Sequence, residues 1–264
     1  LVPCTLVVLP GDQRQPADRP GRTLVMRAPR GAVLEFAEPL DLRAGRLSRL
    51  VGGSLRGQVT VRGTPTAAGA GDDLEVVTRD LELDEYEIRT NERVEFRYGR
   101  SVGRGRGLVA RLLPQQSGSG QGPNIGGVDT VRLEREVELR LEGMATGLLP
   151  APDPVAGPAV DLPVYVTCDG SLTTNLSANV ITLEDAVEVR RGELATGGDQ
   201  LSCDVLAIVL GEPAGVGAAA PSGLQVVEIQ ASGGPAIVRS GARQVEVRTG
   251  RLGYEVQSRR IRRD

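Results

Sequence analysis

A period-two alternation of apolar and polar residues most constrains how this chain can fold. In residues 131–142 the odd positions are apolar except Arg135, and the even positions are charged. Successive side chains of a β-strand point to opposite faces, so this pattern predicts a strand with one dry face. The same period recurs at Val59 and Val61, at Val94, Phe96 and Tyr98, at Val187 and Val189, at Leu201, Cys203, Val205, Ala207 and Val209, at Val245 and Val247, and at Leu252, Tyr254 and Val256.

Turn signals separate these stretches, and helical periodicity is almost absent. Clusters such as residues 62–65 (RGTP) and 191–192 (RG) punctuate the alternation. Many short strands between turns indicate an all-β sandwich, barrel or solenoid rather than an α/β fold. Residues 115–127, 150–163 and 211–223 are rich in Gly, Pro, Ser and Ala and are predicted to be loops, either joints between domains or insertions in one scaffold.

The composition excludes most familiar catalytic sites. The chain has no His, and all 31 of its Lys+Arg residues are Arg. Nucleophiles activated by His, His-ligated metals, the Walker-A lysine and Schiff-base chemistry are therefore excluded. We expect a protein that is not an enzyme and that has no cofactor and no metal site. An aromatic content of 2% and a net charge of -3 also argue against a nucleic-acid partner.

The three cysteines show no metal-binding spacing. Cys4, Cys168 and Cys203 are far apart in sequence and form no C-x-x-C motif. Cys168 and Cys203 each lie in an alternating stretch and are followed by Asp, which is typical of small buried strand residues. A disulfide between them remains open at this point.

An internal repeat gives the most specific information. Residues 88–99 (IRTNERVEFRYG) align without a gap with residues 181–192 (ITLEDAVEVRRG). Both read as a strand, an acidic turn, a V-E-x-R strand and a closing Gly. A second element, Gly-Asp-x-Leu followed by alternation, occurs at residues 198–201 and more loosely at 71–74. Such repetition predicts similar layers that stack and cover each other's dry faces.

These residues resemble the OstA-like β-domain of periplasmic lipopolysaccharide-transport proteins, the family of LptA and LptC. The resemblance rests on an acidic turn before a V-x-V strand and on the pattern G-D-x-L-x-x-D-x-L, over about residues 30 to 260. The matching segments are 179–189 (NVITLEDAVEV), 198–206 (GDQLSCDVL), 74–83 (LEVVTRDLEL), 90–96 (TNERVEF) and 103–108 (GRGRGL).

The resemblance implies an open β-jelly roll of stacked antiparallel layers, with two facing sheets and a hydrophobic groove. We expect residues 1–149 to form its first part, 150–163 a Pro/Gly-rich joint, and 164–264 a second part that continues the first and is truncated at its C-terminus. The resemblance also implies the periplasm or cell envelope of a Gram-negative-type bacterium. Because the sequence starts at Leu1 rather than Met, an anchoring segment upstream is compatible with it.

The implied function is to bind or bridge lipopolysaccharide or a similar acylated lipid during transport to the outer membrane. Other OstA-like envelope proteins would dock by edge-strand addition, with the strand of Leu252, Tyr254 and Val256 as one edge. Arginines at the rim of the groove would meet phosphates. The residues expected to line the groove are Val94, Phe96, Val137, Leu139, Val187, Val189, Leu201 and Val205.

Two alternatives remain open. The apolar stripes would equally form the closed core of a structural or adhesive envelope β-solenoid without a ligand. The row of Glu134, Glu136 and Glu138 would suit a carboxylate hydrolase on a parallel β-helix, although such a row is more typical of a solvated face. Residues 103–107 (GRGRG) resemble a nucleic-acid or phosphate loop, but a glycine-rich turn between strands is favoured.

Overall fold

The computed structural model describes residues 3–8, 23–39, 50–65, 72–114, 125–142, 149, 162–211, 225–256 and 260–263. The strands are β1 Cys4–Val8, β2 Leu24–Ala28, β3 Ala32–Phe36, β4 Leu50–Gly63, β5 Leu74–Asp84, β6 Glu87–Tyr98, β7 Ser101–Pro114, β8 Ile125–Leu141, β9 Val164–Cys168, β10 Leu172–Asn175, β11 Val180–Arg191, β12 Asp199–Gly211, β13 Gln225–Ser240, β14 Val245–Glu255 and β15 Arg260–Arg263. Over these described ranges the single helical element is a 3-10 turn at Leu194–Thr196. The predicted all-β class is therefore confirmed.

The chain forms two compact units. Unit 1 comprises Leu1–Gly99 and Arg104–Leu133, and unit 2 comprises Arg100–Gly103 and Glu134–Asp264. Strands β7 and β8 thus contribute residues to both units. Most of the three predicted loops, including residues 150–161 of the expected joint, lie outside the described residues, whereas residues 125–127 begin β8.

In unit 1 the strands follow the order β1-β2-β4-β5-β6, with every pairing antiparallel. Strand β4 is long enough to pair twice on one side, with β2 along one half and with β3 along the other. Alternating apolar residues of these strands form a buried cluster of Met26, Ala28, Leu55, Val59 and Leu81. This cluster joins residues from both halves of β4, so the sheet is bent around its own core.

Unit 2 repeats this plan with the order β8-β9-β11-β12-β13-β14-β15. Here β11 is the strand that pairs twice, with β10 along its first half and with β9 along its second. All of these pairings are antiparallel. In unit 1 the strand that pairs twice is β4, whereas the internal repeat aligns residues 88–99, which begin in β6, with residues 181–192, which begin in β11, so the repeat does not match this equivalence of strands.

A bend interrupts the long strands near their midpoints. In β11, Asp185 and Ala186 have φ values of 66° and 49°, where the register with β12 shifts between Glu184 and Val187. The register of β12 with β13 shifts next, between Ser202 and Val205, opposite a bulge that contains Gly233. Such β-bulges bend a strand and change which residues face inward. We call this line of bulges the corner of unit 2.

The same device occurs in unit 1. Gly57 of β4 has a φ of 71° and Asp80 of β5 has a φ of 46°. Register shifts accompany them, between Leu55 and Gln58 and between Val77 and Glu82. The bend therefore recurs in both units.

The expectation that the strand of Leu252, Tyr254 and Val256 is an edge is wrong. Residues 252–255 of β14 pair with β15, so the arginine-rich C-terminal segment continues the sheet. The backbone N–H of Val256 donates to the carbonyl oxygen of Val227 at 3.0 Å. A proline at Val256 would therefore remove a hydrogen bond inside the sheet and would test folding rather than docking.

Candidate functional site

Six of the eight predicted groove residues lie in unit 2, on three strands of its sheet. Val137 and Leu139 are on β8, Val187 and Val189 are on β11, and Leu201 and Val205 are on β12. The other two, Val94 and Phe96, lie on β6 in unit 1.

A row of aliphatic residues crosses unit 2 from strand to strand. Each member is the register partner of the next, because side chains opposite each other in a sheet share a face. We call this set the aliphatic row: Leu139, Val166, Val189, Leu201, Val238 and Val247. Its central members are covered, with exposed fractions of 1% for Val166, 0% for Val189 and 2% for Leu201. Leu139, Val238 and Val247 are partly exposed, so the row is open towards both of its ends.

A second set of inward residues lies one step nearer the corner. Val137 is opposite Cys168, and Val187 is opposite Cys203. All four are at most 5% exposed. Both thiols are free, which excludes the disulfide that the sequence left open.

Burial controls the chemistry of these thiols. It raises the pKa of Cys168 to about 11 and the pKa of Cys203 to about 12. The Cys168 Sγ also lies 3.7 Å from the carbonyl oxygen of Ser171, where a protonated thiol can donate. Since the thiolate is the reactive form, both side chains act as small apolar residues at neutral pH.

Beyond the corner, the inward positions change from odd to even numbers along β12. Leu201 and Cys203 are buried before the bulge, and Leu206 and Ile208, at 0% and 5% exposed, are buried after it. Val205 is partly exposed, one residue away from the buried position. The sequence carried a signal for this change, since residues 205–210 (VLAIVL) are all apolar and break the alternation.

The inward face continues as two further rows on that side of the corner. The first row contains Leu172, Leu183, Leu206, Ala231 and Leu252, all at most 8% exposed. The second row contains Ile181, Ile208, Ile229 and Tyr254. Sequence reasoning did not assign any of these residues to the site.

An ion pair lies beside the aliphatic row at its side away from the corner. Arg191 and Asp199 are register partners on β11 and β12, two residues beyond Val189 and before Leu201. The Arg191 Nη2 donates to the Asp199 Oδ2 at 2.5 Å, and the two side chains are 14% and 17% exposed. A largely covered charge pair thus borders the apolar face.

Unit 1 has its own apolar row, made of Leu6, Met26, Val61, Val76 and Phe96. Phe96 is partly exposed, whereas Val94 is 1% exposed. The two predicted residues therefore differ: Val94 is core and Phe96 borders the core.

The exposed carboxylates of β8 and the glycine-rich segment of β7 are the remaining features that the sequence raised. Glu134, Glu136 and Glu138 are exposed side chains of β8, as expected of a solvated face. Residues 103–107 lie inside strand β7, so the favoured interpretation as a turn between strands is wrong. In the part of the chain that the structure describes, no group of three or more His, Cys, Asp or Glu residues is placed to hold a metal ion.

Comparisons with known proteins name no relative. No family model, no curated protein and no solved structure matches this chain. Among the described residues, no helix has the length and apolar character needed to cross a membrane.

Proposed function

We propose that this protein binds lipopolysaccharide-type lipid in the cell envelope and bridges it towards the outer membrane. The acyl chains would lie in a hydrophobic groove of an open β-jelly roll. The aliphatic row of unit 2 carries this proposal. It runs without a polar residue across neighbouring strands, and its outer members Leu139, Val238 and Val247 remain partly exposed.

The dimensions of the row suit an acyl chain. Neighbouring strands lie about 4.8 Å apart, so the row from Leu139 to Val247 is roughly 24 Å long. One leaflet of a bilayer holds acyl chains of about 15 Å. Each buried methylene contributes about 0.8 kcal/mol, so several acyl chains bind tightly without specific polar contacts.

The Arg191–Asp199 pair gives the row a polar border. A phosphorylated headgroup placed there would meet the Arg191 guanidinium next to the apolar face. The partners that accompany this function would be other OstA-like envelope proteins, which dock by strand addition. Residues 245–249 of β14 fit that role, because their register partners in the described sheet lie on β13 alone.

The test is photo-crosslinking at inward positions, with neighbouring outward positions on the same strands as controls. A photoreactive amino acid at Val238 or Val247 faces inward along the row, and the same group at Arg239 or Glu246 faces outward on the same strands. With purified lipopolysaccharide, we expect labelling at the inward sites at least about fivefold above the outward sites. Equal labelling at both, or none at either, contradicts the proposal.

A structural or adhesive β-solenoid without a ligand is the second candidate. It is favoured by the central members of the row, Val166, Val189 and Leu201, which the protein itself already covers. Organic extracts of protein purified from cells that make lipopolysaccharide separate the two. Acylated lipid found by mass spectrometry supports lipid binding, and lipid-free protein supports the solenoid.

A further inference from the structure

A pocket of about 380 Å³ opens on the outer face of unit 1. Its lining residues are Val25, Arg27, Pro29, Gln58, Thr60 and Arg62. Met26, Ala28 and Val59, which alternate with these residues on β2 and β4, point into the core. The pocket therefore lies on the opposite side of the sheet from the core cluster of unit 1.

Two arginines and a hydroxyl converge on this pocket. Arg27 and Thr60 are register partners, and Arg62 lies on the same face, two residues after Thr60. The Nε and Nη2 of Arg62 donate to the Glu75 Oε1 at 2.9 and 2.7 Å. Arg62 is thus held in place and partly neutralised, whereas Arg27 makes no ion pair within the described ranges.

More positive charge surrounds the pocket. Arg79 is the register partner of the lining residue Gln58, and the Arg30 side chain lies against Gly57. Neither arginine makes an ion pair with another described residue, although Arg89, Arg93 and Arg97 of the same unit all do. Arg27, Arg30 and Arg79 thus have no ion-pair partner among the described residues, and the acidic groups beside them are the carboxylates of Glu75 and Asp80.

We propose that this pocket binds the phosphate group of a small phosphorylated ligand. Arg27 and Thr60 make the direct contacts, and Arg62 supplies further positive charge. The planar guanidinium of arginine matches phosphate oxygens with two parallel hydrogen bonds. A phosphate monoester carries about -1.5 to -2 charges at pH 7, which suits a site lined by more than one arginine. The volume lies within the range of about 300 to 1,000 Å³ typical of small-ligand sites.

Isothermal titration calorimetry of the whole chain tests the site, with inorganic pyrophosphate as the probe. Arg27→Gln should weaken binding at least about tenfold, because a hydrogen bond to a charged group is lost. Thr60→Val keeps a β-branched residue in the strand and should weaken binding severalfold. The matched control is Arg132→Gln, an exposed arginine of β8 in the same unit that has no ion pair among the described residues.

A second experiment distinguishes a lipid headgroup from a soluble compound as the source of the phosphate. Vesicles of phosphatidylcholine with and without phosphatidic acid are compared with free pyrophosphate, again with Arg27→Gln. Arg27-dependent binding to either probe supports the site and says whether a lipid or a soluble compound supplies the phosphate. No binding of wild type to either probe, or an equal loss in Arg132→Gln, overturns it. Photo-crosslinking at Val238 reports on the aliphatic row of unit 2 separately. A failure of one proposal is therefore distinguishable from a failure of the other.

Discussion

The carboxylate of Asp204 accepts a hydrogen bond of 2.8 Å from the backbone N–H of Gly234, on the neighbouring strand. This contact ties β12 to the bulge of β13 at the point where their register shifts. In unit 1, the Asp80 Oδ1 accepts from the backbone N–H of Gly57 at the same distance. Both aspartates lie at bends, so in each unit the carboxylate of one aspartate stabilises a bend.

Removing this carboxylate should weaken the corner. We expect Asp204→Ala to lower the free energy of unfolding by about 1 kcal/mol, the usual net value of one hydrogen bond, because water competes at this exposed site. Asp204→Asn keeps an acceptor oxygen and should cost less. Urea unfolding followed by far-UV circular dichroism measures both, with Glu134→Ala, an exposed residue of β8, as the control. A loss as large in the control would show that the corner contact contributes nothing.

Substitution of the glycine at the same corner should destabilise the fold far more than substitution of a glycine outside it. Gly233 has a φ of 106°, and a Cβ at this position would collide with the Asp204 side chain. We expect Gly233→Ala to cost about 2 to 3 kcal/mol from backbone strain and collision. At Gly250 an added Cβ meets nothing within 4 Å, so Gly250→Ala should be neutral or stabilise by about 0.5 kcal/mol. Equal costs in thermal or urea unfolding would contradict the bulge geometry.

The alternation predicted the strands but not their bends. Period two identified Val137, Val187, Val189 and Leu201 as inward residues, and all four are buried. It failed at Val205, because the register shifts with β11 and β13 at the corner move the buried position to Leu206. A bulge depends on the neighbouring strand, so a pattern that counts residues along one strand does not contain it.

The placement of residues across strands was also beyond the sequence. Leu139, Val189 and Leu201 belong to one row because of the strand registers, which no spacing along the chain determines. The C-terminal arginines illustrate the same limit, since β15 covers part of the strand that was expected to be an edge. The outer-face pocket was missed because its residues come from β2, the adjoining Pro29 and β4, which are far apart in sequence and meet only through the register of β2 with β4.

Two valines test the change of inward face directly. Val189 is 0% exposed and Val205 is partly exposed, although both were predicted to face inward. Val189→Ala should cost about 2 to 3 kcal/mol, from lost burial of two methyl groups and the cavity left behind. Val205→Ala should cost about 1 kcal/mol or less, whereas Leu206→Ala should cost about 3 kcal/mol or more. If Val205→Ala were as costly as Val189→Ala in urea unfolding, the inward face would not change at the corner.

The buried thiols make the free energy of unfolding depend on pH in the alkaline range. The unfolded chain releases their protons near pH 9.0, whereas the folded chain holds them to about pH 11 at Cys168 and about pH 12 at Cys203. Between these values the folded state binds more protons than the unfolded state, so the free energy of unfolding falls as pH rises. Below pH 9.0 both states are protonated at these sites and this dependence vanishes.

The measurement compares urea unfolding of wild type with the double variant Cys168→Ala and Cys203→Ala, from pH 7 to pH 10.5. We expect the loss of stability above pH 9 to be clearly smaller in the variant, because the two proteins differ only at these two thiols. Alkylation at pH 7 adds a second check on burial. Cys4, which is partly exposed, should react first, and Cys168 and Cys203 should react only on unfolding. Identical pH profiles, or rapid labelling of all three thiols in the folded protein, would show that Cys168 and Cys203 are not held in the interior.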